Sequence, residues 1–202
     1  MHYKNFFGFR SKEYSLIRVN RTLLLVIDIQ KKLLNSIEDK ENMIWNIGRL
    51  IDASKILNIK YLYTEQNPDK LGETTDYIKQ KIGKSSIRKM RFSCAKEKIV
   101  LDFLAKNKIK DIILCGIETH VCIQQTAIEL RKKGYRIFLP ADAVSSRNNF
   151  DNKVSLKRLE KAGIIIGTTE SIIFECCDTS AREEFRELSS LIKKKPEHSR
   201  YS

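Results

Sequence analysis

Five short apolar runs constrain this chain more than any other feature: "LLLVI" (23–27), "KYLYT" (60–64), "IILC" (112–115), "RIFLP" (136–140) and "IIIG" (164–167). Each is rich in β-branched or aromatic residues and is bounded by polar or turn residues, as strands are. Their hydrophobicity is continuous rather than alternating, so both faces must be covered, and that pattern belongs to a parallel sheet. Helical patterns lie between them. Residues 41–58 carry Ile44, Ile47, Leu50, Ile51 and Leu57 near helical spacing, and residues 95–106 carry Ile99, Phe103 and Leu104. Residues 121–133 place Ile123, Ala127 and Leu130 on one stripe, with Gly134 positioned to end the helix. Asp151 to Ala162 reads as a further helix, and Ala181 to Lys194 as an amphipathic closing one. Strands alternating with helices predict right-handed βαβ units and a doubly wound α/β sandwich. "SIRK" (86–89) offers a short sixth strand.

A chain of 202 residues is long enough to bury a substantial core as one domain. Residues 21–194 are expected to form it, with 1–20 as an N-terminal extension and 195–202 as a basic tail. The apolar runs fall far short of the ~20 residues that a membrane-spanning helix needs. The N-terminus has no continuous apolar stretch of the secretory kind, and Glu13 argues against a transit peptide, so a cytoplasmic protein is expected. The formal charge of +13 invites a nucleic-acid or acidic-membrane partner. That charge is dispersed over several helices and the segment "LIKKKPEHSR", and no basic run is interleaved with stacking aromatics. Solvated helix faces are the plainer reading. An anionic substrate or acidic partner stays open.

The cysteines are Cys94, Cys115, Cys122, Cys176 and Cys177. An odd number with no C-x-x-C and no secretory signal argues against a disulfide framework. The histidines are His2, His120 and His198, too few and too scattered for the roughly four clustered ligands of a structural zinc site. No metal and no cofactor is expected.

In open α/β sheets, reactive groups gather beyond the carboxyl ends of the strands. Asp28 is the first polar residue after "LLLVI", where it serves equally as a strand-closing residue or as a functional carboxylate. Cys122 follows "DIILC" near the opening of a helix, where unpaired N–H groups and the helix dipole are expected to lower a thiol pKa. A buried cysteine is otherwise an inert small apolar group, and Cys115 inside its strand suits that description. His120, two residues from Cys122, is expected to point to another side of the turn, which leaves a carboxylate as the candidate base.

"LLVIDIQ", "KMRFSC" and "GIETHVCIQQTAIELRKKGYRIFLPADAVSSR" together resemble the isochorismatase-like cysteine hydrolases, over about residues 20–192. That superfamily includes nicotinamidases, carbamoylsarcosine amidases and isochorismatases. "YTEQNPDKLG" and "AGIIIGTTESIIFE" more closely resemble its small isochorismatase-domain hydrolases of unassigned substrate. The resemblance implies a six-stranded parallel sheet in the order 3-2-1-4-5-6 and a catalytic triad of Asp28, Lys89 and Cys122. It also selects Lys89 over Arg88 and Arg91, where a solvated lysine would otherwise be the default. It further implies a cis peptide at Ile117–Glu118, with the backbone N–H groups of Glu118 and Cys122 forming an oxyanion hole, and Gly116 allowing the turn. Members are commonly homo-oligomers. Metal-binding nicotinamidases carry an Asp-x-His pair where this chain has "TEQNP", so the resemblance implies a metal-free site. The carrier domain of some isochorismatases has no counterpart here.

The function expected is a cysteine hydrolase acting on a small amide, imide or related substrate through a covalent Cys122 intermediate. A non-catalytic binding or scaffold protein of the same fold is the opposing class, and a nucleic-acid-binding or nuclease role is motivated by charge alone.

Overall fold

The computed structural model describes residues 16–83 and 85–195. The expected N-terminal extension falls largely, and the basic tail almost wholly, outside the described residues. Seven strands form one parallel sheet: β1 (Thr22–Ile27), β2 (Lys60–Gln66), β3 (Ile87–Lys89), β4 (Asp111–Ile117), β5 (Arg136–Pro140), β6 (Val144–Ser145) and β7 (Ile165–Gly167). Their order is β3-β2-β1-β4-β5-β7, with β6 added against the end of β4. The expected order therefore holds, and the outermost strand is the seventh in sequence rather than the sixth. The extra strand has a local cause. β5 pairs with β4 only over Asp111–Ile113 and ends at Pro140, which has no N–H to continue a ladder. After a 3₁₀ turn at Ala141–Ala143, β6 takes up the pairing instead, opposite Gly116 and Ile117.

Nine helices lie among the described residues: α1 (Lys31–Leu34), α2 (Lys40–Ile56), α3 (Pro68–Leu71), α4 (Asp76–Ile82), α5 (Lys98–Lys106), α6 (Gln124–Lys132), α7 (Asn149–Lys161), α8 (Thr169–Cys177) and α9 (Phe185–Lys193). Their ends follow local chemistry. The Asn148 side chain accepts from the Phe150 N–H at the start of α7, and Thr168 and Ser171 form a reciprocal capping box on α8. Gly134, at φ 90°, stands just beyond α6, where a left-handed residue ends a helix cheaply. Helices α3 and α4 have no counterpart among the helical patterns of the sequence, since their four and seven residues are too few to show a helical period. Helix α8 likewise has no counterpart there, although "TESIIFECC" spaces Ile172, Ile173, Cys176 and Cys177 along one buried face and leaves Glu170 and Ser171 exposed.

Continuous apolarity of the strands is explained by two cores. On one face Leu24, Val26, Ile113, Cys115 and Phe138 pack with Ile44, Ile47, Leu50 and Ile51 of α2, and with α8 and α9. On the other, Leu23, Leu25, Ile27, Ile112 and Leu114 pack with Val100 and Leu104 of α5, Ala127 and Leu130 of α6, and Leu159 of α7. All six residues of β1 are buried. Each such aliphatic side chain stabilises the fold by about 1.5–3 kcal/mol. The central strands are thus rigid, and their carboxyl ends make a fixed platform.

Candidate active site

Asp28 sits one residue beyond β1 with φ 56°, a left-handed conformation that aspartate tolerates better than most residues. Its backbone N–H donates to Thr64 O at 3.2 Å, and the Thr64 hydroxyl donates to Oδ1 at 2.7 Å. Its other oxygen, Oδ2, accepts from Lys89 Nζ at 2.6 Å. Asp28 is 0% and Lys89 3% exposed. The lysine is therefore no solvated member of a basic run: on the three-residue strand β3, Arg88 points outward to Asp69 while Lys89 points in. Lys89 Nζ also donates to Gln66 Oε1 at 2.7 Å and lies 3.7 Å from Cys122 Sγ.

Cys122 is delivered by a crowded turn. Gly116, at φ 119°, is pressed against β1, and a Cβ there would overlap the Ile27 carbonyl oxygen. The Ile117–Glu118 peptide that follows is cis. A π-type turn at Thr119–Ile123 then leads into α6, with Ile123 N donating to Glu118 O at 3.2 Å. His120 faces away from the thiol, as expected from its spacing. Its Nδ1 lies 2.9 Å from Ser146 Oγ and 3.4 Å from Glu118 Oε2, and Arg147 Nε lies 3.2 Å from that same carboxylate oxygen.

The electrostatics correct one expectation. Burial pushes the Cys122 thiol well above its ordinary range, the Asp28 carboxylate and its hydrogen bond add to the shift, and Lys89 only partly opposes it. The shift runs opposite to the lowering expected near a helix start, because a buried thiolate beside a carboxylate is short of compensating charge. For Lys89, burial works against the ammonium, but the charge of Asp28 and the hydrogen bond to it raise the pKa. Asp28 and Lys89 thus form a buried ion pair beside Cys122 Sγ.

Several contributors were not singled out from sequence. Thr64 and Gln66, two apart on β2, point to the same side and hold Asp28 and Lys89 respectively. That spacing in "TEQ" was the available signal. Cys94, 0% exposed, borders the same cluster, and burial pushes its thiol up to about 12. Glu65 faces the opposite way, accepting from Thr74 N at 2.7 Å and Ser86 Oγ at 2.8 Å. Among the described residues no group of three or more histidine, cysteine, aspartate or glutamate side chains is placed to hold a metal ion. A cavity of about 430 Å³ opens beside Lys89, lined by Asn67, Arg88, Met90, Arg91 and Glu97. A larger cleft, about 950 Å³, lies between α1, α2 and α4 and contains none of the three clustered residues.

The comparisons with known proteins bear on the family and the fold. The isochorismatase domain model matches residues 22–171. Isochorismatase domain-containing protein 2 of Danio rerio is 33% identical over 171 residues, covering 85% of this chain and 86% of that protein. A solved structure of a Caenorhabditis elegans protein described as MAR1 ribonuclease superposes with a TM-score of 0.85 at 34% identity, covering 90% of this chain and 94% of that one. An octameric hydrolase of unknown specificity from Escherichia coli shares the fold with a TM-score of 0.80 at 19% identity, covering 92% and 94%. With the family model spanning the sheet from β1 into α8, and the fold matched over nine-tenths of its length, this chain belongs to the isochorismatase family.

Proposed function

We propose that this member of a hydrolase superfamily is a metal-independent cysteine hydrolase that cleaves a small amide, imide or related C–N or C–O bond. The observation that carries the reading is the contact of Asp28, Lys89 and Cys122, three buried side chains gathered at the carboxyl edge of the sheet from the end of β1, from β3 and from the turn after β4. With the thiol protonated at rest, Asp28 is the base: it takes the Cys122 proton as the sulfur attacks the substrate carbonyl. Lys89 holds Asp28 in place by its hydrogen bond and favours the thiolate as it forms. The backbone N–H groups of Glu118 and Cys122 are assigned to the carbonyl oxygen as it becomes an oxyanion. The proton on Asp28 then passes to the leaving nitrogen or oxygen. Water, deprotonated by the same carboxylate, cleaves the thioester and restores the thiol.

The test is a panel of small amides and imides assayed with wild type and Cys122→Ala in parallel. Turnover by wild type alone supports the reading. Equal turnover by both proteins removes it, and loss of turnover in EDTA restored by zinc removes the metal-independent part. A scaffold protein of the same fold would alkylate Cys122 no faster than Cys94 or Cys115 at neutral pH.

The five described cysteines are all free thiols, which supports a reducing, cytoplasmic setting. The octameric relative in fold supports a homo-oligomer, which light scattering on a sizing column would test. An RNA-directed activity is a second reading, favoured by the description of the nematode protein and the formal charge of +13. It fails if no micromolar RNA binding is found even at low salt.

A further inference from the structure

Gln66 is 8% exposed, and every polar atom of its side chain and peptide is committed. Its Oε1 accepts from Lys89 Nζ at 2.7 Å, and its Nε2 donates to Met90 O at 2.8 Å. Its peptide is clamped by a second glutamine, Gln30, which is 0% exposed. Gln66 N donates to Gln30 Oε1 at 2.7 Å, while Gln30 Nε2 donates to Gln66 O at 3.0 Å and Gly72 O at 2.6 Å. The main chain is tied in too, since Asn67 N donates to Lys89 O at 2.9 Å. A side chain with both amide ends occupied and its backbone pinned is a fixed part of the scaffold.

We propose that Gln66 is a positioning residue: its amide oxygen is the neutral acceptor that fixes the Lys89 ammonium between Asp28 and Cys122. The proposal rests on the roles assigned above to Lys89 and Cys122. Lys89 has three N–H donors. Asp28 takes one and Gln66 another, which leaves the ammonium seated 3.7 Å from Cys122 Sγ instead of swinging wholly onto the carboxylate. The neutrality of the acceptor matters as much as its place. One carboxylate and one ammonium balance while Cys122 is a thiol, and still balance once its proton has passed to Asp28; loss of that proton from the cluster leaves a single net negative charge. A second carboxylate at position 66 would hold Lys89 equally well but would make that step doubly anionic in a buried site, which like charges oppose.

The experiment needs no substrate. Alkylation of Cys122 by iodoacetamide is followed against pH by mass spectrometry in wild type, Gln66→Glu, Gln66→Met, Lys89→Met and the double variant Gln66→Met with Lys89→Met. Circular dichroism and thermal melting restrict the comparison to folded protein. Gln66→Glu is expected to slow Cys122 alkylation at least tenfold at pH 7 and to move the profile to higher pH. Gln66→Met is expected to slow it by a smaller factor. In the Lys89→Met background Gln66→Met should add nothing further, because no ammonium remains to be positioned. Gln66→Glu and Gln66→Met profiles that both superimpose on wild type overturn the proposal, as does a Gln66→Met effect of the same size with and without Lys89. If one variant fails to fold, the profile of the other decides between these outcomes. If Lys89→Met leaves the profile unmoved, or Cys94 or Cys115 reacts as fast as Cys122 in wild type, the triad reading itself falls. A shift with Lys89→Met and none with the Gln66 variants sinks the positioning role alone.

Discussion

The sheet buries an aspartate at each end of its central strands, and the two are held in different ways. Asp111 opens β4 and Asp28 follows β1, about 20 Å apart along a strand; both are 0% exposed. Asp111 is saturated by arginines. It accepts from Arg21 Nε at 3.1 Å, from Arg136 Nε at 2.8 Å and Nη2 at 2.7 Å, and from Arg18 N at 3.2 Å. Permanent cations hold both of its oxygens. Asp28 has one threonine hydroxyl on Oδ1 and one lysine on Oδ2, and it also faces a thiol. A buried carboxylate locked by guanidinium groups fastens a structure. The same group held by one ammonium beside a thiol is the one proposed above as a base.

The sharpest way to break this comparison is by turnover. Cys122→Ala is expected to abolish turnover, because no other group forms the covalent intermediate, and Asp28→Asn to cost orders of magnitude, since it accepts no proton. Their double variant should be hardly worse than either, as befits residues that act as one unit. Activity retained by Asp28→Asn would place that residue with Asp111 among the fasteners.

Asp111→Ala should show the opposite profile. Removing one partner of a buried ion cluster costs about 3–5 kcal/mol of stability, read as a lower urea midpoint, while kcat per folded molecule stays at the wild-type value. A fall in kcat at unchanged stability would erase the distinction between the two ends.

Glu65, between Thr64 and Gln66 on β2, sharpens it on a smaller scale. Burial raises its pKa, but hydrogen bonds from Thr74 N–H and Ser86 lower it further, and the net shift is downward. Its contribution is therefore complete above the ordinary carboxylate pKa and is lost as pH falls through the depressed folded value. Glu65→Gln should be less stable than wild type by about 1.5–3 kcal/mol at neutral pH, and the gap should close on acidification. A gap independent of pH, measured by urea unfolding at pH 7 and pH 3, would contradict that linkage.

Lys89→Met gives the smallest expected effect and the most specific one. It removes the positive charge that opposes the upward shift of the Cys122 thiol, so that thiol moves further toward its protonated form. The acid limb of the pH–rate profile should move to higher pH by about one unit, roughly a tenfold loss of rate on that limb. If Lys89→Met changed nothing while Arg88→Met or Arg91→Met crippled the enzyme, the catalytic cation would have to be reassigned within "RKMR".

The sequence by itself determined the elements that local pattern can encode. Continuous apolar runs set the parallel strands, and helical stripes at 41–58 and 121–133 set the layers that cover them. Asp28 just beyond a strand and Cys122 near a helix start stand out as candidates in the sequence, each with a structural alternative, and the family resemblance supplies their pairing. Elements too short to repeat a period, α3, α4 and β6, left no such trace. What tertiary structure alone decided is how charges distant in sequence meet. Lys89 lies 61 residues from Asp28 and 33 from Cys122, and neither its burial nor its partners can be inferred from a run of three cations in four positions. The upward shift of the Cys122 thiol is of the same kind. Its place near a helix start argued for a low pKa, but burial and the Asp28 carboxylate, both supplied by packing across the sheet, push it up. Periodicity is a property of neighbours along the chain. Desolvation and Coulomb interactions depend on what the fold brings within a few ångströms, and so they belong to the folded protein alone.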